Sequence, residues 1–298
     1  DEPCSSLECG CRDMSNARFV ELENVGVTFG SGAEQTEALQ PTSLTVERGD
    51  FLAFVGPSGC GKSTILKLVS ELLRPTTGNI FFGGRELGAK PVRVGMAFQS
   101  ASLLPWMSVR DNVMLPLKIV PPFKAEFRGK KDTEYRERAD ALLAQVGLED
   151  FAEKSPWQLS GGMMQRANLC RALIHDPDIL LLDEPFGALD QFTREELWQT
   201  LQELWIDRKS TVMLVTHDLR EAAYLANRIC VMSPRPGRII DIDLVRGHRI
   251  GLGGDRRGER HAIRSQAVRW PGNVVGQCDR KRYDRQRQQN AVERHACD

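Results

Sequence analysis

Long apolar runs are missing from this 298-residue sequence. No stretch approaches the roughly 18–20 consecutive apolar residues that a helical membrane span requires. The residues before Phe19 contain no apolar run of signal-peptide type. An integral membrane protein and a classically secreted one are therefore not expected. Aromatic residues are scarce, at 7%. Cysteine is present but lacks the spacing of a scaffold. Cys60, Cys170 and Cys230 stand singly in ordered-looking segments and read as small buried hydrophobes. Cys4, Cys9 and Cys11 crowd together without a fourth ligand nearby, and Cys278 and Cys297 lie far along the chain. Neither a disulfide framework nor a zinc centre is expected from that pattern.

Net charge is also absent, with 40 basic and 40 acidic side chains, but the balance hides an asymmetry. Residues 246–298 carry 13 Lys+Arg against 6 Asp+Glu, a net of +7, which leaves −7 for the rest. Apolar periodicity fades after Val245, so the working domain is expected to end there. Met14 begins a natural-looking start, which makes residues 1–13 an extension expected to be disordered. Residues 246–298 are expected to be a disordered or aberrant Arg-rich tail.

Within residues 14–245 the pattern is that of an α/β protein. Arg18–Phe29 alternates loosely and, with Leu44–Val46, predicts an antiparallel β subdomain. Phe51–Val55 is wholly apolar, as a strand buried on both faces should be. A glycine-rich turn follows, then a helix from Lys62 with Ile65, Leu68, Val69, Leu72 and Leu73 as its inner stripe, ended by Pro75. A second alternation fills 160–232. It comprises a helix after Ser160, a buried strand Ile179–Leu182, and a helix opened by the capping-box pattern Thr193–Glu196. Strands at Thr211–Val215 and Ile229–Met232 complete it. Strands alternating with helices predict a parallel sheet. The stretch of about 100–158 is charged, has no strand signal and reads as an inserted helical subdomain.

Gly56-Pro57-Ser58-Gly59-Cys60-Gly61-Lys62-Ser63-Thr64 fits the phosphate-loop pattern G-x-x-x-x-G-K-[ST]. Its glycines allow main-chain N–H groups to crowd around phosphate oxygens. The helix that starts at Lys62 adds its positive end. Lys62 supplies a charge to the β- and γ-phosphates, and the Ser63 hydroxyl is a ligand for Mg²⁺. By chance the four specified positions would recur in on the order of one chain in a hundred of this length. The preceding strand and following helix are the context the motif needs, so ATP and Mg²⁺ are the expected cofactors of a P-loop NTPase core. Asp183 and Glu184 close the second buried strand, where functional groups gather in a parallel sheet. Asp183 is placed to hold Mg²⁺ through its water shell, and Glu184 to polarise an attacking water.

With Leu159-Ser160-Gly161-Gly162-Met163-Met164-Gln165-Arg166 added, the sequence resembles the nucleotide-binding subunit of an ATP-binding cassette (ABC) transporter. The resemblance runs in order through the phosphate loop, Gln99, the 159–166 signature, the Ile179–Glu184 segment, Asp190 and His217. It implies two copies facing head to tail around two ATP, each ATP held by the phosphate loop of one and by Ser160, Gly161 and Gly162 of the other. It further implies that His217 contacts the γ-phosphate and orients water, and that Gln99 reaches the metal and the water. Asp190 would bridge the copies, and Phe29 would stack on adenine. Met163 departs from the glutamine common in the family.

The run Leu103-Leu104-Pro105-Trp106 after Gln99, with Ser233-Pro234-Arg235-Pro236-Gly237-Arg238, is similar to ATPase subunits of bacterial nitrate/sulfonate/taurine importers. Such a subunit would work at the cytoplasmic face of the membrane with separate permease subunits and, indirectly, a solute-binding protein. Trp106, Met107 and Phe123 are candidates for the docking surface or for core packing. The alternative is a soluble ABC ATPase that acts on nucleic acid or ribosomes, suggested by the Arg-rich tail. Against it, the sequence lacks heptads, a second cassette, zinc motifs and interleaved aromatics, and no nucleic acid is expected.

Overall fold

The computed structural model describes residues 18–30, 35–86, 88 and 92–245. The chain divides into units 1–249 and 250–298, and every described residue lies in the first. The extension 1–13, the tail 246–298 and their five cysteines lie outside the described residues.

The centre of the fold is a six-stranded sheet. Strands β3 (Phe51–Val55), β6 (Val94–Phe98), β7 (Ile179–Asp183), β8 (Thr211–Thr216) and β9 (Arg228–Met232) run parallel in it, and β10 (Ile239–Leu244) closes one edge antiparallel. The order across the sheet is β10-β9-β3-β8-β7-β6. Every residue of β3 and β8 is buried, which accounts for their unbroken apolar or near-apolar text. Alternation nonetheless divides them between two cores. Phe51, Ala53, Leu180, Leu182, Val212 and Leu214 face one core. Leu52, Phe54, Ile179, Leu181, Met213 and Val215 face the other.

The second core is closed by α1 (Lys62–Val69) and an antiparallel sheet of order β2-β1-β4-β5. These strands are β1 (Arg18–Phe29), β2 (Thr36–Glu47), β4 (Thr77–Phe82) and β5 (Arg85–Glu86). The first core is closed by α5 (Gly161–Leu173), α6 (Gln191–Arg208) and α7 (Leu219–Leu225). It extends into α2 (Val109–Ile119) and α4 (Glu134–Gln145), with α3 (Phe123–Lys130) packed against it. Cys60, Cys170 and Cys230 are buried and unpaired, in keeping with their reading as hydrophobes.

Two local expectations are corrected. The first helix stops at Val69, not at Pro75. Glu71 turns into the left-handed region (φ 60), and its N–H and that of Leu73 close on the carbonyls of Leu68 and Lys67. Leu72 consequently leaves the inner stripe and is 66% exposed, while Leu73 still packs on the core. The helix assigned to start at Thr193 begins at Gln191 instead. Asp190 is its N-cap, its carboxylate accepting from the Thr193 N–H at 3.1 Å, so Thr193 occupies the third helical position. Of the two readings open for Phe123 the packing one holds: its ring lies edge-on to Tyr135 at 6.2 Å between centroids.

Strand β6 has no counterpart in the sequence reading. Gly95 explains why it fits: a Cβ there would stand 2.3 Å from the Ala172 carbonyl, so α5 lies directly on the strand. Truncating a central side chain should show how far stability depends on this sheet. Leu181→Ala removes a fully buried leucine and should cost about 2–5 kcal/mol, read as a lowered urea midpoint at unchanged m.

Candidate functional site

The strand register builds the site. Phe98 pairs with Asp183, Asp183 with Val215, and Thr216 with Val55. The carboxyl ends of β6, β7, β8 and β3 are thus level to within one residue, and the next residues along each chain are Gln99, Glu184, His217 and Gly56. This is the rim where open parallel sheets bind ligands.

The phosphate loop leaves β3 at Gly56 and enters α1 at Lys62. Gly59 (φ 75) and Gly61 (φ 92) hold conformations that side chains disfavour. Gly61 is the N-cap of α1 and makes no side-chain hydrogen bond to the helix end. Lys62 is nearly buried and its Nζ donates to the carbonyls of Gly56 at 2.8 Å and Pro57 at 2.9 Å. The Ser63 hydroxyl donates to Asp183 Oδ1 at 2.7 Å, which joins the loop's helix to the end of β7. Thr64 is half-buried, whereas Pro57, Ser58 and Gly59 are exposed.

A turn from Ser233 to Arg238 supports the loop from behind. Gly237 donates to the Ala38 carbonyl and accepts from the Gln40 N–H at 2.8 Å. A Cβ on Gly237 would lie 1.9 Å from the Cys60 carbonyl, so no side chain can stand there.

Glu184 is forced to φ 46, a costly conformation for a residue with a side chain. Its N–H is held by the Val215 carbonyl at 2.9 Å, and its Oε2 stands 3.4 Å from His217 Nδ1. The Gln99 side chain reaches over the turn after Glu184, where its Nε2 would be 3.1 Å from a Cβ on Gly187. Ser160 caps α5 through a 3.3 Å bond from the Met163 N–H. Gly162 is pressed against Thr193 of α6, where a Cβ would meet Thr193 Cγ2 at 2.3 Å. Met163 and Met164 pack on the first core. Asp190 is exposed, and its hydrogen bonds from Thr193 hold its carboxyl below the usual range. Phe29, at the end of β1, is 44% exposed and so is not a core residue.

One chain thus gathers Lys62, Ser63, Gln99, Asp183, Glu184 and His217 along the level strand ends. Ser160, Gly161, Gly162 and Asp190 are held instead by the first turns of α5 and α6. The family profile described as ABC transporter matches residues 39–187.

The chain belongs to the ABC transporter family. The aliphatic sulfonates import ATP-binding protein SsuB of Bacillus licheniformis is 44% identical to the cassette over 219 residues, covering 72% of this chain and 82% of the relative. The nitrate import ATP-binding protein NrtD of Synechococcus elongatus is 39% identical over 248 residues, 83% of this chain and 86% of the relative. Among solved structures, a dimeric ATP-binding cassette in a post-hydrolysis state with ADP and Pi superposes with a TM-score of 0.66. It is 34% identical and covers 76% of this chain and 99% of that one. The cassette binds ATP and is an ATPase.

Sequence reasoning missed Glu221. It is buried on α7 and accepts from the Thr216 hydroxyl at 2.9 Å; that hydroxyl in turn accepts the Asp218 N–H at 3.0 Å. Both neighbours of His217 are fixed through this chain of bonds. The only signal was an acid at helical spacing among apolar residues of α7. Burial pushes the Glu221 carboxyl up from 4.5 to about 8. A raised pKa means the folded state holds a proton that the unfolded state has lost. The contribution is therefore complete below pH 4.5 and disappears as pH rises toward 8. Glu221→Gln should remove this slope, leaving the variant relatively more stable at pH 8 than at pH 4.5 by a few kcal/mol (~2–5) in urea titrations.

Proposed function

We propose that this cassette is the ATP-hydrolysing subunit of an importer for a small anion of the nitrate, sulfonate or taurine class. It works at the cytoplasmic face of the membrane against separate permease subunits that a solute-binding protein supplies. The sulfonate- and nitrate-importing relatives support the transport class. Among the described residues no helix is long and apolar enough to cross a membrane, in line with a separate permease. The hydrolytic part is carried by one observation: the Glu184–His217 pair stands beside the Ser63–Asp183 bond on the level strand ends.

In this reading the N–H groups of Ser58–Gly61 and the end of α1 take the phosphates. Lys62 exchanges its two carbonyl partners for β- and γ-phosphate oxygens. Mg²⁺ suits the donors present, because Ser63, Asp183 and the Gln99 amide oxygen are hard ligands. Among the described residues no group of three or more His, Cys, Asp and Glu forms a fuller metal site. The ion, when bound, offsets the charge developing on the phosphates. Glu184 polarises the attacking water, while His217 holds the γ-phosphate and keeps that water in line. Phe29 lies against adenine.

A second copy completes the site. Ser160, Gly161 and Gly162, at the start of α5, face the nucleotide of the partner, and Asp190 lies between the copies. The solved dimeric relative supports this arrangement. Trp106, 76% exposed beyond β6, is the anchor for the permease. The nucleic-acid reading has no matching relative among those described and rests on a tail outside the described residues.

Two experiments test the proposal. Glu184→Gln should lower ATP turnover about 100-fold or more while keeping ATP affinity, so that an ATP-bound dimer accumulates on gel filtration. An unchanged rate removes Glu184 from the mechanism. Tagged wild-type chain drawn from detergent-solubilised native membranes should bring an integral permease with it, and Trp106→Asp should not. Recovery with ribosomes or nucleic acid alone would reverse the assignment.

A further inference from the structure

Where β6 ends at Phe98, the chain loses its sheet partners, yet the next carbonyls are not left free. Three side chains on one face of α5, spaced three residues apart, take them. Gln165 Nε2 donates to the Gln99 carbonyl and Asn168 Nδ2 to that of Phe98 at 3.3 Å. The Arg171 guanidinium donates to Ala101 at 2.7 Å and to Ser102 at 3.0 Å. The three also bind one another: Arg171 donates to Asn168 Oδ1 at 2.8 Å and Asn168 to Gln165 Oε1 at 3.2 Å. Gln165 and Asn168 are buried at 4% and 0% exposure, so an unmade bond here has no water to replace it.

We infer that Gln165, Asn168 and Arg171 form a clamp that sets the position of Gln99 from the signature helix α5. They are positioning residues, since they hold the backbone of 98–102 and not the nucleotide. The consequence follows from where α5 begins. Its first turn carries Ser160, which the reading above places over the partner's ATP, and its side carries the carbonyls around Gln99. A displacement of α5 by the partner's nucleotide is thereby passed to the group that meets water and metal in this copy. The inference rests on that reading of Gln99.

The test is a double-mutant cycle in steady-state ATPase of the full chain. Asn168→Ala should lower kcat about tenfold with little change in the KM for ATP, because the phosphate loop is untouched. Gln99→Ala should lower kcat as well. The double variant should be no slower than Gln99→Ala alone, since a clamp has nothing left to position. A general packing defect would instead multiply with the loss from Gln99→Ala, and that result overturns the inference. Arg171→Lys keeps the charge but not the forked geometry and provides a second cycle if Asn168→Ala fails to fold; it should show a smaller loss and the same non-additivity. A slow Gln99→Ala beside an unimpaired Asn168→Ala and Arg171→Lys overturns the clamp alone. A Gln99→Ala chain at the wild-type rate overturns the role of Gln99 and the clamp with it.

Discussion

The parallel pairing of β6, β7, β8 and β3 in a single level register is the constraint on which the site depends. Strands β6, β7 and β8 each deliver one or two working residues at or just beyond their ends, and β3 leads into the phosphate loop. Those residues meet because Phe98, Asp183 and Val215 stand in one row of the sheet and Thr216 and Val55 in the next. A slip of one residue would move a group by about 3.3 Å and turn it to the opposite face. Such a slip is opposed by the two cores, since alternate residues of each strand are committed to one or the other. Hydrophobic packing thus acts on the chemistry at a distance. The apolar strands specify where a hydroxyl, two carboxylates and an imidazole come together.

The same dependence explains what could be read from the sequence. Strands β3, β7 and β8 are legible because burial on both faces leaves little but apolar text. The phosphate loop is legible because its glycines answer to backbone demands that few other residues satisfy. Strand β6 escaped because it lies at the sheet edge and carries glycine where α5 comes close; Val-Gly-Met-Ala-Phe has little strand character. The sequence pattern puts the start of α6 too late, because Thr193 and Glu196 imitate a cap. The carboxylate of Asp190, which the family resemblance assigns to the dimer, already fills that role.

Side-chain networks were the least legible part. Gln165, Asn168 and Arg171 sit in one helix, and only the course of residues 98–102 shows what they hold. Glu221 is similar, since its meaning depends on Thr216 being brought beneath it. Motif residues announce themselves through local geometry, whereas their supports are set by which distant segment happens to pass nearby. That is a tertiary fact, and a linear pattern does not carry it.

The turn at Ser233–Arg238 illustrates the same point from the other side of the nucleotide loop. Gly237 lies against the Cys60 carbonyl with no room for a methyl group, and it is hydrogen-bonded to the strand that carries Ala38 and Gln40. The β9–β10 hairpin, remote in sequence and bearing none of the chemistry, is in effect the floor of the phosphate loop. For anyone grafting a reporter or splicing cassettes, this hairpin is therefore poor ground, although its outer strand lies at a sheet edge. A join made there would be registered first at the nucleotide.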